Sequence, residues 1–171
     1  MTNPASAKKL ADALGRRLAA QITPETDDDE GPPRVSVRLF RCFPRDFENG
    51  LHDLEAHDFR IALTIERPPA DARGFADITE IVPGGGYQAG GAPLQNARIY
   101  GPTWTADPVQ WTGRGSGFRF QYAVLYNATA PGQPVVAVME RADATGLARG
   151  DTVTVEWHEE TGILRLPMYF E

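Results

Sequence analysis

Two hydrophobic periods divide this chain. In residues 6–22, Leu10, Leu14, Leu18 and Ile22 recur every four positions, and Ala7 and Ala11 widen the stripe. A helix turns once in 3.6 residues, so apolar side chains four apart share a face. The spacing predicts an amphipathic helix over residues 6–22, with Ser6 placed to cap it and Pro24 to end it. From Arg34 onward the period is two. "RVSVRLF" sets Val35, Val37 and Leu39 against Ser36 and Arg38, and "DFRIALTI" sets Phe59, Ile61, Leu63 and Ile65 against smaller or polar neighbours. Further on, "GFRFQYAVLYN" places Phe118, Phe120, Tyr122, Val124 and Tyr126 at alternate positions, which predicts that they share one face. "VVAVM" over 135–139, "DTVTVEWHE" and "GILRLPMYF" complete the set.

Turn formers separate these runs in "NATAPGQP", "RADATGLARGD" and "HEETG". Short alternating strands with such punctuation predict a mainly β body, an antiparallel β-sandwich or jelly-roll-like fold. "FPRDFENGLHDLEAHD" reads as a short helix or turn bridging the first two strands. Between the helix and the body lies "TPETDDDEGPP", where acidic repulsion and prolines favour an extended linker. The organisation read from sequence is a helical arm (1–22), an acidic linker (23–33) and a β body (34–171).

Composition narrows the classes. With 171 residues, 42% hydrophobic and 23% charged, the chain has the balance of a single globular domain. No apolar run approaches the roughly 20 residues of a membrane span, and the first residues lack the apolar core of a signal peptide. We therefore expect no membrane partner and synthesis in a cytoplasm. A net charge of −6 argues against a general nucleic-acid binder. The charge is uneven. Residues 1–22 are net positive, with Lys8, Lys9, Arg16 and Arg17 against Asp12, whereas the linker carries Glu25, Asp27, Asp28, Asp29 and Glu30. The single cysteine, Cys42, excludes an intrachain disulfide and reads as a small strand residue, not a nucleophile.

A few motifs carry candidate chemistry. "IVPGGGYQAGGAP" holds five glycines, which suggests a phosphate cradle. Such a cradle opens a helix whose N–H groups meet the anion. Here Pro93 and β-formers follow, and no lysine occurs after Lys9. Glycines reaching positive φ in a loop between strands fit better. His52 and His57 in "LHDLEAHD" invite a metal, with Asp53, Glu55 and Asp58 nearby, but histidines five apart share neither a helix face nor a strand face. Glu159 and Glu160 fall at a turn rim beside His158, where solvated charges are expected. "GRGSGF" lies between strands, not between a strand and a helix as a nucleophile elbow requires. Trp104, Trp111, Tyr87 and Tyr100 are candidates for a sugar-stacking platform, with a buried β core as the simpler account. These readings predict a protein that is not an enzyme and carries no metal or cofactor.

Five segments in one order carry a resemblance: "NGLHDLEAHDFRIALT", "VPGGGYQAGGAPLQNARIY", "ADPVQWTGRGSGFRFQYAVLYNATA", "PVVAVME" and "GDTVTVEWHEETGILRL". Together they resemble a family of small tailed-bacteriophage virion proteins. That family runs as Gly-x-x-Asp-Leu, a G-x-G-Y-x-A-G-G loop, Asp-Asp-Val-x-Trp, R-Y-A-V-x-Y and W-x-x-x-G-I-L-x-L. The likeness spans residues 34–166. It departs at "DPVQW", where an Asp-Asp pair is usual, and residues 1–33 look like an addition. The resemblance implies a virion structural protein. Head and tail locations both remain open, as does a free carbohydrate-binding module. A cement or decoration protein on the outer head is the expectation that best uses a tethered helix, since a linked second contact raises effective concentration. The partners would be the major capsid protein or neighbouring virion proteins, with further copies of the chain in a homo-oligomer. Leu10, Leu14, Leu18 and Ile22 would fill a groove on the partner, with Arg16 and Arg17 at its rim.

Overall fold

The structure, a computed structural model, describes residues 36–158 and 160–166. The predicted helix, its linker and the six interface candidates Leu10, Leu14, Arg16, Arg17, Leu18 and Ile22 lie outside the described residues, as does Glu159. The described body is mainly β, built from antiparallel sheets. Its strands are β1 (Ser36–Leu39), β2 (Phe59–Thr64), β3 (Ala92–Pro93), β4 (Arg98–Tyr100), β5 (Thr103–Thr105), β6 (Val109–Thr112), β7 (Phe118–Asn127), β8 (Val135–Leu147), β9 (Thr152–Val155) and β10 (Leu164–Arg165). Five form the main sheet in the order β1-β8-β7-β2-β3, and two smaller sheets run β10-β5-β4 and β6-β9. None of the described helices is long and apolar enough to cross a membrane.

The segment between β1 and β2 contains one six-residue helix, α1 (Phe43–Glu48). Pro44 sits in its first turn, where a missing N–H costs nothing. Asn49 ends it and Gly50 leaves with φ 74°. Phe43 is its buried anchor. The helix carries the chain past two strands, because β1 pairs with β8 and β2 pairs with β7. Cys42 belongs to the turn before this helix and not to a strand, which corrects the sequence expectation. Its thiol donates to the Ala72 carbonyl (3.5 Å) and faces the Val135 carbonyl (3.7 Å).

Both faces of the main sheet are covered, by different means. On one face Phe59, Ile61, Leu63, Ala123, Leu125 and Met139 pack with residues of the small sheets, including Trp104, Val109, Trp111 and Leu164. Trp104 is fully buried and meets the Phe59 ring edge-on at 4.8 Å. On the other face Tyr122, Val124, Tyr126 and Val138 lie under the crossover after β2, which contributes Ala72, Phe75 and Ile78. The Phe75 ring stacks on Tyr126 at 4.3 Å and 11°. Backbone bonds hold the crossover down, from Phe75 N–H to the Gln133 carbonyl and from Val135 N–H to the Arg73 carbonyl. A strand covered on both sides loses its polar positions, and this is why β7 is buried at every residue from Tyr122 to Asn127.

Two expectations need correction here. Phe118 and Phe120 pack into the first cluster, while Tyr122, Val124 and Tyr126 pack into the second, so the five aromatic and aliphatic positions do not share one face. The cause is an irregularity at Gln121. Between Phe120 and Tyr122 β7 advances two residues, while its partner advances five, from Glu140 to Thr145. A bulge of this kind breaks the ladder and resets which side chains face inward. "RADATGL", expected to be a turn, is instead the second half of β8: the bulge takes up residues 141–144, and Thr145, Gly146 and Leu147 pair with Phe120, Arg119 and Phe118. The chain turns only at residues 148–151, where the Asp151 carboxylate accepts the Ala148 N–H at 2.9 Å.

Candidate functional site

Three polar side chains converge where α1, β2 and β7 meet. After Gly50 the chain enters residues 51–58, and Asp53 folds them back on themselves. Its carboxylate accepts the N–H groups of Ala56 (2.9 Å) and Glu55 (3.1 Å), which hold its pKa below the usual carboxylate range, and its carbonyl accepts the His57 N–H (3.0 Å). Such a turn is the standard use of aspartate in loops. It defeats the spacing argument made from sequence, because it returns His57 to the side of His52. Both rings meet Asn127, the last residue of β7.

Asn127 is completely buried, and its amide orientation is fixed by its neighbours. Its oxygen accepts the N–H groups of Thr129 and Ala130, each at 3.0 Å. The nitrogen must therefore be the atom that faces the histidines, at 3.2 Å from His52 Nδ1 and 2.9 Å from His57 Nδ1. An amide nitrogen only donates, so each Nδ1 accepts and each neutral ring carries its proton on Nε2. For His52 that Nε2 is buried without a partner. The ring lies between Phe43 (5.1 Å) and Phe59 (6.2 Å). Burial pushes its pKa down to about 4, and the neighbouring His57 acts in the same direction. Below this cluster the Leu54 carbonyl accepts the Trp104 indole N–H at 3.0 Å, so the same segment also closes over the core.

A second polar network holds the glycine loop. All five glycines between Val82 and Ala92 have positive φ. Three of them also touch backbone so closely that no Cβ fits: Gly85 against the Gly117 carbonyl, Gly86 against Thr112, Gly91 against Ile61. The Tyr87 hydroxyl donates to Glu80 (2.6 Å) and accepts the Leu63 N–H (3.0 Å). Glu80 also accepts the Gly90 N–H at 2.5 Å, and the Gly90 carbonyl receives the Tyr126 hydroxyl (2.8 Å) and Arg60 Nε (3.2 Å). Burial, then the bond to Glu80, holds the Tyr87 phenol well above its ordinary range. The loop thus lies between β2 and β3 as expected, and its glycines serve backbone packing.

The remaining candidates are scattered. Trp104, Trp111 and Tyr87 are buried, and only Tyr100 of the proposed stacking platform is exposed, at 81%. Burial and the adjacent Asp46 push the Cys42 thiol up to about 11, which keeps it protonated. His158 lies apart from the other two histidines, bridged to Gly162 in the turn between β9 and β10. "GRGSGF" joins β6 to β7, as its flanking strands predict. No group of three or more His, Cys, Asp or Glu side chains among the described residues is arranged to hold a metal. The residues missed from sequence are Asn127, Glu80 and Arg60. The signal for Asn127 was its place at the head of "NATAPG", where an asparagine oxygen commonly captures the following N–H groups. Compared with known proteins, the chain matches no family model, no curated protein and no solved structure.

Proposed function

We propose that this chain is a structural protein of a tailed-phage virion, a cement or decoration protein that binds the outer head surface and stabilises the shell. It is made in the host cytoplasm and acts as a homo-oligomer on the major capsid protein. On this reading the body is a sandwich or jelly-roll-like unit and residues 1–22 form the arm that grips a neighbour. One observation carries the proposal beyond the sequence resemblance. The polar side chains with the most chemical potential, His52, His57, Asn127, Glu80, Tyr87 and Arg60, are spent on fastening loops to sheets. Side chains used this way suit a rigid building block better than a catalyst, which needs its acid and base free to meet substrate. The anionic composition fits a surface turned away from packaged nucleic acid.

A second reading is a tail, baseplate or fibre component. Tyr100 and Ile99 favour it, since they stand exposed on β4, the outer strand of its sheet, as a contact to a receptor would require. Labelled electron microscopy of purified virions, with copy number from quantitative gel densitometry, separates the two. Hundreds of copies over the head are expected. A few to tens at the tail would replace the first reading with the second, and absence from virions would end both.

A further inference from the structure

We propose that the His52–Asn127–His57 cluster is an acid-sensitive latch, which holds residues 51–58 to the end of β7 while both imidazoles are neutral and releases them when either is protonated. The inference is independent of the virion reading and rests on the amide orientation. Two backbone N–H groups occupy the Asn127 oxygen, so the amide cannot rotate to offer an acceptor without losing both. A protonated imidazole carries N–H at both ring nitrogens. Protonation therefore sets donor against donor at 3.2 Å for His52 or 2.9 Å for His57. For His52 the new charge also enters a pocket only 5% exposed, whose Nε2 already lacks a partner.

The side chains around the pair offer no compensation; the Leu51 carbonyl meets the Asn127 nitrogen (3.5 Å), and the Asp53 N–H adds a second donor at His57 Nδ1 (3.4 Å). α1 presents the Phe43 ring and β2 the Phe59 ring. β7 presents Asn127, and the turn after it offers the Thr129 hydroxyl, which accepts the Asp58 N–H. Within the segment the Asp53 carboxylate is taken by Ala56 and Glu55. Asp58 enters through its backbone, its carbonyl accepting the Ala128 N–H at 2.8 Å. His57 is the titratable group that bears on His52, and its charge opposes a second one.

The sign follows from linkage. His52 is held at about 4 in the fold, against about 6.5 for a free histidine. The unfolded or released state binds the proton more tightly, so the latch is intact above about pH 6.5 and weakens as the pH falls towards 4. Release would also uncover Leu54 and break its bond to Trp104.

Hydrogen exchange of the full chain tests this at the Ala128 and Asp58 amides, with Val124 in the centre of β7 as reference. After correction for intrinsic exchange, protection at Ala128 and Asp58 should fall at least tenfold between pH 7 and 4.5 while Val124 holds. Proton NMR of the His52 ring, followed from about pH 7 down to about 3.5, should show the ring taking up its proton as that protection is lost. Protection that survives His52 protonation would overturn the latch. The variant Asn127→Asp removes the clash: one oxygen keeps the Thr129 and Ala130 N–H groups, and the other accepts from Nδ1–H of a neutral ring in its other tautomer or of a protonated ring. Its segment should therefore stay protected from pH 7 to 4.5. The same acid response as wild type would also overturn the proposal. If this variant fails to fold, the wild-type exchange and titration still decide.

Discussion

The phenol of Tyr87 replaces a missing strand, and its removal has a calculable cost. Strand β3 covers β2 only at Arg60 and Ile61. Beyond that point the outward backbone groups of Leu63 need other partners. Its carbonyl accepts the Ile81 N–H, and its N–H is capped by the Tyr87 hydroxyl at 3.0 Å. Tyr87→Phe keeps the ring in place and deletes that acceptor. A buried N–H left unpaired costs about 1–3 kcal/mol, and the lost bond to the Glu80 carboxylate adds about 1.5–3 kcal/mol. The second figure is discounted, because Glu80 is half-buried, keeps the Gly90 N–H and regains water. The expected destabilisation is about 2–4 kcal/mol. Urea denaturation of the full chain reads it through tryptophan fluorescence, since Trp104 and Trp111 are buried and report unfolding. Glu80→Gln, which keeps an acceptor and loses only its charge, should cost about 1 kcal/mol. The double variant should fall short of the sum, as contacting residues do. Tyr87→Phe within 0.5 kcal/mol of wild type would mean that the phenol does not close the β2 edge.

Gly91→Ala should destabilise by about 2 kcal/mol more than Gly115→Ala in the same denaturation assay. Both have positive φ, at about 1–2 kcal/mol for an L-residue, but only Gly91 would push a Cβ into a backbone carbonyl; equal losses would show that the loop yields. Residues 34–171 alone should give a β-rich circular dichroism spectrum and a cooperative melt, and a molten or insoluble product would refute the domain boundary. Leu14→Asp with Leu18→Asp should leave the body folded while lowering occupancy on virions at least tenfold, about 1.4 kcal/mol; unchanged occupancy would refute the arm.

The strands were legible where one local rule governed them. In β2 the alternation of Phe59, Ile61 and Leu63 matches the buried face, and Ile65 becomes exposed where the strand ends at Thr64. The same rule failed in β7, because alternation cannot register three residues bulged out of a partner strand. Nor did it show that "RADATGL" would continue β8, since Ala, Asp and Gly are weak strand formers that pairing with Phe118, Arg119 and Phe120 overrides. The positive φ of the glycine loop was readable from composition. What the loop presses against, Ile61, Thr112 and Gly117, was not, because those contacts depend on sheets formed elsewhere in the chain.

The histidines show why a site can be invisible at the level of spacing. Ruling on two residues five apart assumes that they share one regular element, and residues 51–58 form none. Asp53 builds a turn, the turn reverses the chain, and the meeting point is an asparagine seventy-five positions beyond His52 in sequence. Each step is ordinary in isolation. The chemical result comes from the last one, since an amide whose oxygen is already committed offers only donors to the two rings. That constraint turns a plain polar plug into a group with a preferred protonation state. It also explains why the body tolerates an unpaired Nε2 at His52: the proton has nowhere else on that ring to go while Asn127 occupies Nδ1.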